Sequence, residues 1–335
     1  MKNINYILIV FLLFSCTKEI DIVIPNSGTQ FVVNGYIENN QFAKVLITRS
    51  LPYFDPINDN SIGESLVNDA TVTISNSIGE SETLTPTYSP WFTNLTDTWY
   101  YNYTSSNMKG VEGLTYTITI EKNDTLVSAS STIPKLAPIT KDSLRFLYRA
   151  DDSTYCYLLG HWEDPDTIGN CIRAFTQTKP IWPSTFDNIH PESGAINHKD
   201  GWDDLFISML EGEGNYNDEY VNGWSFSFPM YKGRGFWQEW GAQETNNNND
   251  EVDGSTGATT GFWNIGDSVV LKWSSVDRES WDFWRSLEFN NPAGPFGAPS
   301  EANSNVSGGL GVFSGTSSEY IYLKADPGLE NQLSN

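Results

Sequence analysis

The feature that most constrains the fold of this chain is a two-residue alternation of apolar and polar side chains in short runs. The clearest run is residues 115–121, where Tyr116, Ile118 and Ile120 share one face and threonines the other. Such a period predicts a strand with one buried face. Similar runs occur at residues 31–37, 43–48, 70–75, 99–103 and 126–129. About seven short strands in roughly 100 residues predict an immunoglobulin-like β-sandwich.

A second unit follows residues 133–138, a segment whose two prolines stiffen the chain and end the first unit. Between residues 179 and 266 regular patterning fades, which predicts long loops. Further strand-like runs occur at residues 144–148, 155–162, 171–177, 268–273, 308–313 and 320–323. Residues 277–289 predict an amphipathic helix, because its inward face would carry Trp281, Trp284, Leu287 and Glu288.

These patterns predict a mainly β chain. An immunoglobulin-like β-sandwich is expected at residues 30–138. A larger β-rich domain with long loops and one amphipathic helix is expected at residues 139–335, with a loop-rich insertion at about 179–266.

The N-terminal residues indicate export and lipid attachment. Lys2 precedes an apolar run at residues 4–14, as in a secretory signal peptide. The run is too short for a membrane-spanning helix, which needs about 20 apolar residues. Leu13 and Ser15 before Cys16 resemble the lipobox of bacterial lipoproteins, which implies a lipid such as palmitate on Cys16. An ordinary signal peptide with an incidental cysteine is the alternative. We therefore predict a signal peptide at residues 1–15 and a tether at 16–29.

The composition narrows the classes of partner. Acidic residues outnumber basic residues 42 to 19, and the net charge is −23. Such a charge repels nucleic acid, whereas proteins that bind nucleic acid carry basic patches. It also repels anionic lipid headgroups, so the predicted acyl chains must hold the protein at the membrane. We expect no nucleic-acid partner and a lipid-anchored location in the outer membrane, facing the exterior. That orientation rests on residues 17–21, which resemble the surface-export signal of Bacteroidota lipoproteins.

Cys156 and Cys171 remain after Cys16, and an exported protein can form disulfides. If residues 164–169 are the turn of a hairpin, Cys171 faces Trp162. The two sulfur atoms would then lie about 20 Å apart along the strands, too far for a bridge. Free thiols are favoured and a disulfide is the alternative. The acidic turn could also hold a cation, although Asp, Pro and Gly form a turn without one.

Residues 249–254 begin like a calcium-binding loop. Asn249, Glu251 and Asp253 supply side-chain oxygens at alternate positions before a glycine. Thr260 occupies the twelfth position, where the motif needs a bidentate glutamate. A solvated acidic loop is therefore the favoured interpretation, and bound Ca²⁺ is the alternative.

The sequence offers no recognised catalytic constellation. No histidine has a second His or Cys at zinc-ligand spacing, and no serine lies in a Gly-x-Ser-x-Gly turn. Cys156 and His161 are five residues apart on a predicted strand, so they point to opposite faces. A glycosidase carboxylate pair stays open, because its separation is not visible in a sequence. We predict that the chain is not an enzyme and carries no cofactor except the covalent lipid.

Aromatic residues in the loop-rich insertion are the candidate ligand-binding residues. Trp and Tyr faces among Asp and Asn can stack on a sugar or line a partner interface. The alternative is that each fills the core beneath the loops. The candidates are Trp182, Trp202, Trp224, Trp237 and Trp240, with Tyr231 and Phe236 among them.

Several stretches together resemble one family. In order, they are residues 18–21, 31–37, 48–54, 67–72, 291–296 and 304–313. Their combination is similar to the domain of unknown function 4249 family of Bacteroidota lipoproteins over nearly the whole mature chain. The family has no established activity that the resemblance could imply for this chain. The resemblance does imply a cellular setting like that of accessory lipoproteins of TonB-dependent uptake systems.

These observations predict a non-catalytic binding or accessory partner of a TonB-dependent transporter, with a glycan or peptide as a further candidate ligand. The alternatives are a surface hydrolase acting on glycan or peptide and a structural adhesin.

Overall fold

A computed structural model of the protein describes residues 28–51, 64–87, 101–179, 207–208, 215–219, 221–232, 262–289 and 302–328. Within these ranges the regular structure is mainly β, in three sheets. The predicted signal peptide and most of the tether lie outside the described residues, as does much of the insertion.

The first eight strands come from the N-terminal part of the chain. They are β1 (Phe31–Glu38), β2 (Phe42–Arg49), β3 (Thr71–Asn76), β4 (Ser81–Thr83), β5 (Thr85–Pro86), β6 (Tyr103–Lys109), β7 (Thr115–Lys122) and β8 (Thr125–Thr132).

The remaining elements follow a 3₁₀ turn at Lys141–Ser143. They are β9 (Leu144–Tyr148), β10 (Tyr155–Glu163), β11 (Cys171–Lys179), β12 (Ile207–Ser208), β13 (Asn215–Asn217), β14 (Ser225–Met230), β15 (Trp263–Asn264), β16 (Ser268–Val276), helix α1 (Arg278–Phe289), β17 (Val306–Ser307) and β18 (Leu310–Lys324).

Alternation in the sequence matches burial in the strands. On β7, Tyr116, Ile118 and Ile120 are buried while the intervening threonines are not. In the described part of the predicted run at residues 99–103, residues 101 and 102 precede the strand and only Tyr103 belongs to it, because β6 begins at Tyr103. Most of β6 is a polar run without alternation, so it contains no period that could be detected.

The largest sheet runs through both halves of the chain. Its order is β12-β11-β16-β18-β1-β2-β6-β5, with β13 beside β11. Strand β18 has 15 residues: residues 310–316 pair with β1 in parallel, and residues 316–324 pair with β16 in antiparallel. Two separate strands were predicted here. That prediction is wrong because the polar residues 314–319 interrupt the apolar period but not the hydrogen-bonded ladder.

Two smaller sheets cover this large sheet. The five-stranded sheet β17-β8-β7-β3-β4 encloses the first hydrophobic core, and β14-β10-β15 with β9 encloses the second. Phe313 belongs to the first core and Ile321 to the second. They lie an even number of residues apart on one continuous strand, so both cores lie on the same face of the large sheet. The prediction of a mainly β protein with a β-sandwich is confirmed.

The first sandwich is not contiguous in the chain. Val306 of β17 and Phe313 of β18 belong to its core, so residues outside 30–138 complete it. The prolyl segment between the two cores is also packed: the Trp273 Nε1–H donates to the Ala137 carbonyl at 2.8 Å, and the Ala137 N–H donates to the Ser275 Oγ at 2.9 Å. The predicted boundary at residue 138 therefore divides the sequence into two parts, but the large sheet contains strands from both parts.

The glycines at the start of β18 permit a close approach of two backbones. Gly311 has a φ of 105°, and a Cβ placed on it would lie 1.9 Å from the Val33 carbonyl oxygen. The Asn305 amide fixes the same segment, since it donates to the Phe313 carbonyl at 2.8 Å and accepts from the Phe313 N–H at 3.0 Å. These contacts explain why β1 and β18 can pair in parallel at this point.

We predict that Gly311→Ala lowers the free energy of unfolding by about 2–4 kcal/mol, because backbone atoms of β1 must move to admit the methyl group. Gly79→Ala is the matched control. Its φ is 90°, but no atom lies within 4 Å of the position that the added methyl group would take, so it should cost only about 1 kcal/mol of conformational strain. Denaturant unfolding of both variants measures the difference, and equal losses would contradict the close-approach argument.

Asp277 connects helix α1 to strands β8 and β18. Its Oδ1 accepts from the Ser280 N–H at 2.9 Å, which caps the helix N-terminus. Its Oδ2 accepts from the Ser131 hydroxyl of β8 at 2.8 Å and from the Gly315 N–H of β18 at 3.0 Å. One buried carboxylate therefore holds three elements together.

The inward face of α1 differs in part from the prediction. Trp281 and Phe283 are buried, whereas Leu287 is exposed. The Arg173 guanidinium lies 4.8 Å from the Trp284 ring centroid, so this tryptophan packs against a cation of β11. The helix itself is confirmed, and it begins one residue later than predicted.

We predict that Asp277→Ala lowers the free energy of unfolding by about 2–4 kcal/mol, because it removes the cap and leaves buried donors unpaired. Asp282→Ala, at an exposed ion pair with Arg278 on the same helix, should cost less than about 1 kcal/mol. Denaturant unfolding compares the two variants, and equal losses would contradict the structural role of Asp277.

The loss at Asp277 should also depend on pH. Burial raises the pKa of this carboxyl, and hydrogen bonds from Ser280, Ser131 and Gly315 oppose the shift in part. A raised folded-state pKa gives stability that is full below the unfolded pKa and is lost as pH rises through the folded value. The difference between the native protein and Asp277→Ala should therefore shrink from about pH 4 upward. A difference that grew with pH would contradict this.

Candidate functional site

The outer face of the four-stranded sheet carries a fixed histidine. His161 of β10 lies opposite Ser227 of β14, and its Nδ1 is 2.9 Å from the Ser227 Oγ. Its Nε2 is 3.0 Å from the Ser225 Oγ. Hydroxyl groups thus hold both ring nitrogens in the described structure, whereas the histidine of a catalytic triad has a carboxylate on the nitrogen remote from serine. The geometry orients the ring for hydrogen bonding.

A pocket of about 380 Å³ opens beside this histidine. Leu159 and Gly160 of β10 form its apolar part, and Arg145 of β9, which pairs with Leu159, also lines it. Thr140, Asp142, Ser143, His161 and Ser227 complete the lining. The pocket between this sheet face and the 3₁₀ turn therefore combines a cation, a carboxylate, an imidazole and several hydroxyls.

Farther along the same sheet, side chains are aromatic. The rings of Tyr157 and Tyr231 are stacked with centroids 5.5 Å apart, and Phe262 meets Tyr231 edge-on at 5.5 Å. The Arg149 guanidinium lies 4.9 Å from the Phe262 centroid. Tyr157 and His161 are four residues apart on β10, so both side chains project from the outer face.

Two loops at the end of this sheet expose apolar side chains. Ile168 is 89% exposed and Trp224 is 63% exposed. The Asp164 N–H donates to the Trp224 carbonyl at 2.9 Å, and the Gly223 N–H donates to the Asp164 Oδ2 at 2.9 Å. The Gly169 N–H donates to the Asp218 Oδ2 at 2.6 Å. We call the described residues 164–170, 218–219 and 221–224 the loop pair. Hydrogen bonds from backbone N–H groups to carboxylates hold its two parts together.

The acidic turn in this loop pair was a candidate cation site. Burial raises the pKa of Asp164, the nearby Asp218 carboxylate adds to the shift, and the Gly223 N–H opposes it. Its carboxylate and that of Asp218 accept backbone hydrogen bonds. In the described ranges no group of three or more His, Cys, Asp or Glu side chains is arranged to hold a metal ion. The described role of the Asp164 and Asp218 carboxylates is to accept backbone N–H groups across the two loops.

Of the tryptophans predicted to bind ligand, the structure describes Trp224 and places it on the loop pair with most of its surface in solvent. Tyr231 joins the aromatic part of the sheet face. Trp182, Trp202, Trp237, Trp240 and Phe236 lie outside the described residues, as do the calcium candidates Asn249, Glu251 and Asp253 and the lipidation candidate Cys16.

The sequence patterns did not identify Arg145, His161 and the two serines as one group. The Ser-Phe-Ser-Phe order of β14 was a usable signal, because it places Ser225 and Ser227 on one face. Their position opposite His161 depends on pairing between strands more than 60 residues apart, which no local pattern encodes.

Cys156 and Cys171 are free thiols in this structure. Cys156 is buried in the second core, and Cys171 packs with Val276 and Trp281 against α1. The predicted hairpin between them is wrong: β10 belongs to the four-stranded sheet and β11 to the large sheet. The acidic turn therefore crosses between two sheets. Burial raises the pKa of each thiol to about 12.

We predict that neither Cys156 nor Cys171 reacts with a thiol reagent in the folded protein, because both are buried and protonated at neutral pH. After denaturation without reductant both should react, and mass spectrometry counts the added groups. An unreactive pair that becomes reactive only after reduction would reveal a disulfide and contradict the structure.

Comparison with known proteins assigns the chain to a family. In the described part of the chain, no helix is long and apolar enough to cross a lipid bilayer. No match was found among curated proteins or among solved structures. The family model described as domain of unknown function (DUF4249) matches residues 17–320. Because this match covers most of the sequence, the chain belongs to the DUF4249 family.

Proposed function

We propose that this protein is a lipid-anchored, surface-exposed lipoprotein of the outer membrane that binds a partner without catalysis, as an accessory of a TonB-dependent uptake system. The observation that carries the binding role is the loop pair, which presents Ile168 and Trp224 to solvent on a hydrogen-bonded support. Tryptophan is a typical anchor of protein interfaces, and exposed apolar side chains mark interaction sites.

The support beneath these side chains favours binding over a chance exposure. An interface loses affinity when its loops must be ordered on association. In the loop pair, the carboxylates of Asp164 and Asp218 already accept backbone N–H groups from the opposite loop. The Asn222 amide also donates to the Asp166 Oδ1 at 3.1 Å. Binding through Trp224 would therefore cost little further loop ordering.

The lipid anchor and the location rest on the sequence. Cys16 follows a lipobox-like stretch, and an acylated cysteine would keep a chain with a net charge of −23 at an anionic surface. A transporter is the proposed partner because the family resemblance implies that setting. A surface hydrolase is the rival from another class, and it requires a catalytic pair that processes a glycan or peptide.

The proposal predicts that crosslinking on intact cells, followed by purification of the lipoprotein, recovers a TonB-dependent transporter. The Cys16→Ala form should recover none, because it lacks the anchor. Changing both Ile168→Ser and Trp224→Ala should reduce recovery by about tenfold, the effect of losing one or two interface anchors.

The matched control is Ile78→Ser with Leu126→Ala, two similarly exposed apolar side chains of the first sandwich. Recovery with this control should equal that of the native protein. If no transporter is recovered, or if both pairs of substitutions reduce recovery equally, the loop pair is not the partner surface. Release of sugars or peptides by the purified protein would instead support the hydrolase.

A further inference from the structure

Two opposite charges line the pocket on the four-stranded sheet without pairing. Asp142 and Arg145 both line it. In the described part of the structure, neither side chain makes a hydrogen bond or an ion pair. Arg149 and Arg278, by contrast, each bond to a nearby aspartate. A chain with 42 acidic residues offers many partners for 19 basic ones, so an arginine that faces a pocket unpaired is available for a ligand.

The rest of the pocket is already arranged for hydrogen bonding. Ser225 and Ser227 hold the His161 ring by its two nitrogens. The Ser143 hydroxyl donates to the Thr140 carbonyl at 2.6 Å. Each hydroxyl oxygen keeps further capacity to donate or accept. The polar groups therefore have fixed positions before any ligand arrives.

We propose that this pocket binds an acidic sugar, with its carboxylate on Arg145 and its hydroxyls on Asp142 and the serine side. The planar guanidinium matches a carboxylate with two parallel hydrogen bonds. Asp142 can accept from sugar hydroxyls, and its charge opposes ligands with two or more negative charges, such as phosphate. Leu159 supplies an apolar surface for the sugar ring.

The size of the pocket and its position fit this ligand. Its volume of about 380 Å³ is near the lower end for small-molecule sites, which suits one or two sugar units. Tyr157 lies two residues from Leu159 on the same strand face, and its ring stacks on Tyr231. A following sugar would meet this aromatic surface. This inference adds a ligand class to the proposed binding role. It rests on the proposed function in one respect, namely that the sugar is bound and not cleaved.

The test is calorimetric titration of the purified full-length mature lipoprotein, in detergent, with D-glucuronate, D-glucose and acetate. Glucuronate should bind at least about tenfold more tightly than either of the others, because only glucuronate has both the carboxylate and the hydroxyls. Arg145→Gln should weaken glucuronate binding by about 10- to 100-fold, the range for loss of hydrogen bonds between charged groups.

Arg49→Gln is the matched control, since Arg49 lies on β2 of the first sandwich and should leave binding unchanged. Thermal unfolding checks that both variants are folded. Equal binding of glucose and glucuronate, equal binding of acetate and glucuronate, absence of binding, or equal loss in both variants would overturn the proposal. This titration needs no membrane partner. It can therefore fail while crosslinking still recovers a transporter, and crosslinking can fail while glucuronate still binds.

Discussion

The whole described structure depends on β18, a single strand that forms part of the wall of both cores. Its first half can lie beside β1 only because Gly311 lacks a side chain where the Val33 carbonyl approaches. Gly315 has a similar role, since a Cβ there would lie 2.7 Å from the Thr132 carbonyl oxygen. Its second half pairs with β16 over nine residues. Because the strand is continuous, the position of one sandwich fixes the position of the other.

Buried polar groups complete this junction. The Glu38 carboxylate of β1 accepts from the Lys272 ammonium of β16 at 2.5 Å and from the Tyr320 hydroxyl of β18 at 2.6 Å. Burial, together with the Glu38 charge, raises the pKa of Tyr320. These contacts join three neighbouring strands, as Asp277 joins α1 to β8 and β18. A buried charge is costly unless it is paired, so these groups constrain how the strands can align.

The surfaces proposed for binding lie on the side of the four-stranded sheet that faces away from the large sheet. The second core packs beneath the four-stranded sheet. The outer face of this sheet carries the pocket and the stacked tyrosines, and the loop pair lies at one end of the sheet. Positions on strands and hydrogen-bonded loops are more exact than positions on free loops, and they lose less entropy when a ligand binds. The proposed pocket and the proposed partner surface are thus neighbouring parts of one sheet and its loops.

The β class, most strand positions, helix α1 and the family could be predicted from the sequence alone, because these depend on local periodicity and on motifs in order. Trp224 was a candidate because of the aromatic composition of its segment, but its exposure could be read only from the structure. The folded structure was needed to show that β18 is one strand, that β10 and β11 belong to different sheets, and that Arg145, His161 and Ser227 line one pocket. Those outcomes depend on pairing between distant segments. The energy of such pairing resides in long-range hydrogen bonds and shared burial, which leave no periodic trace in the local sequence.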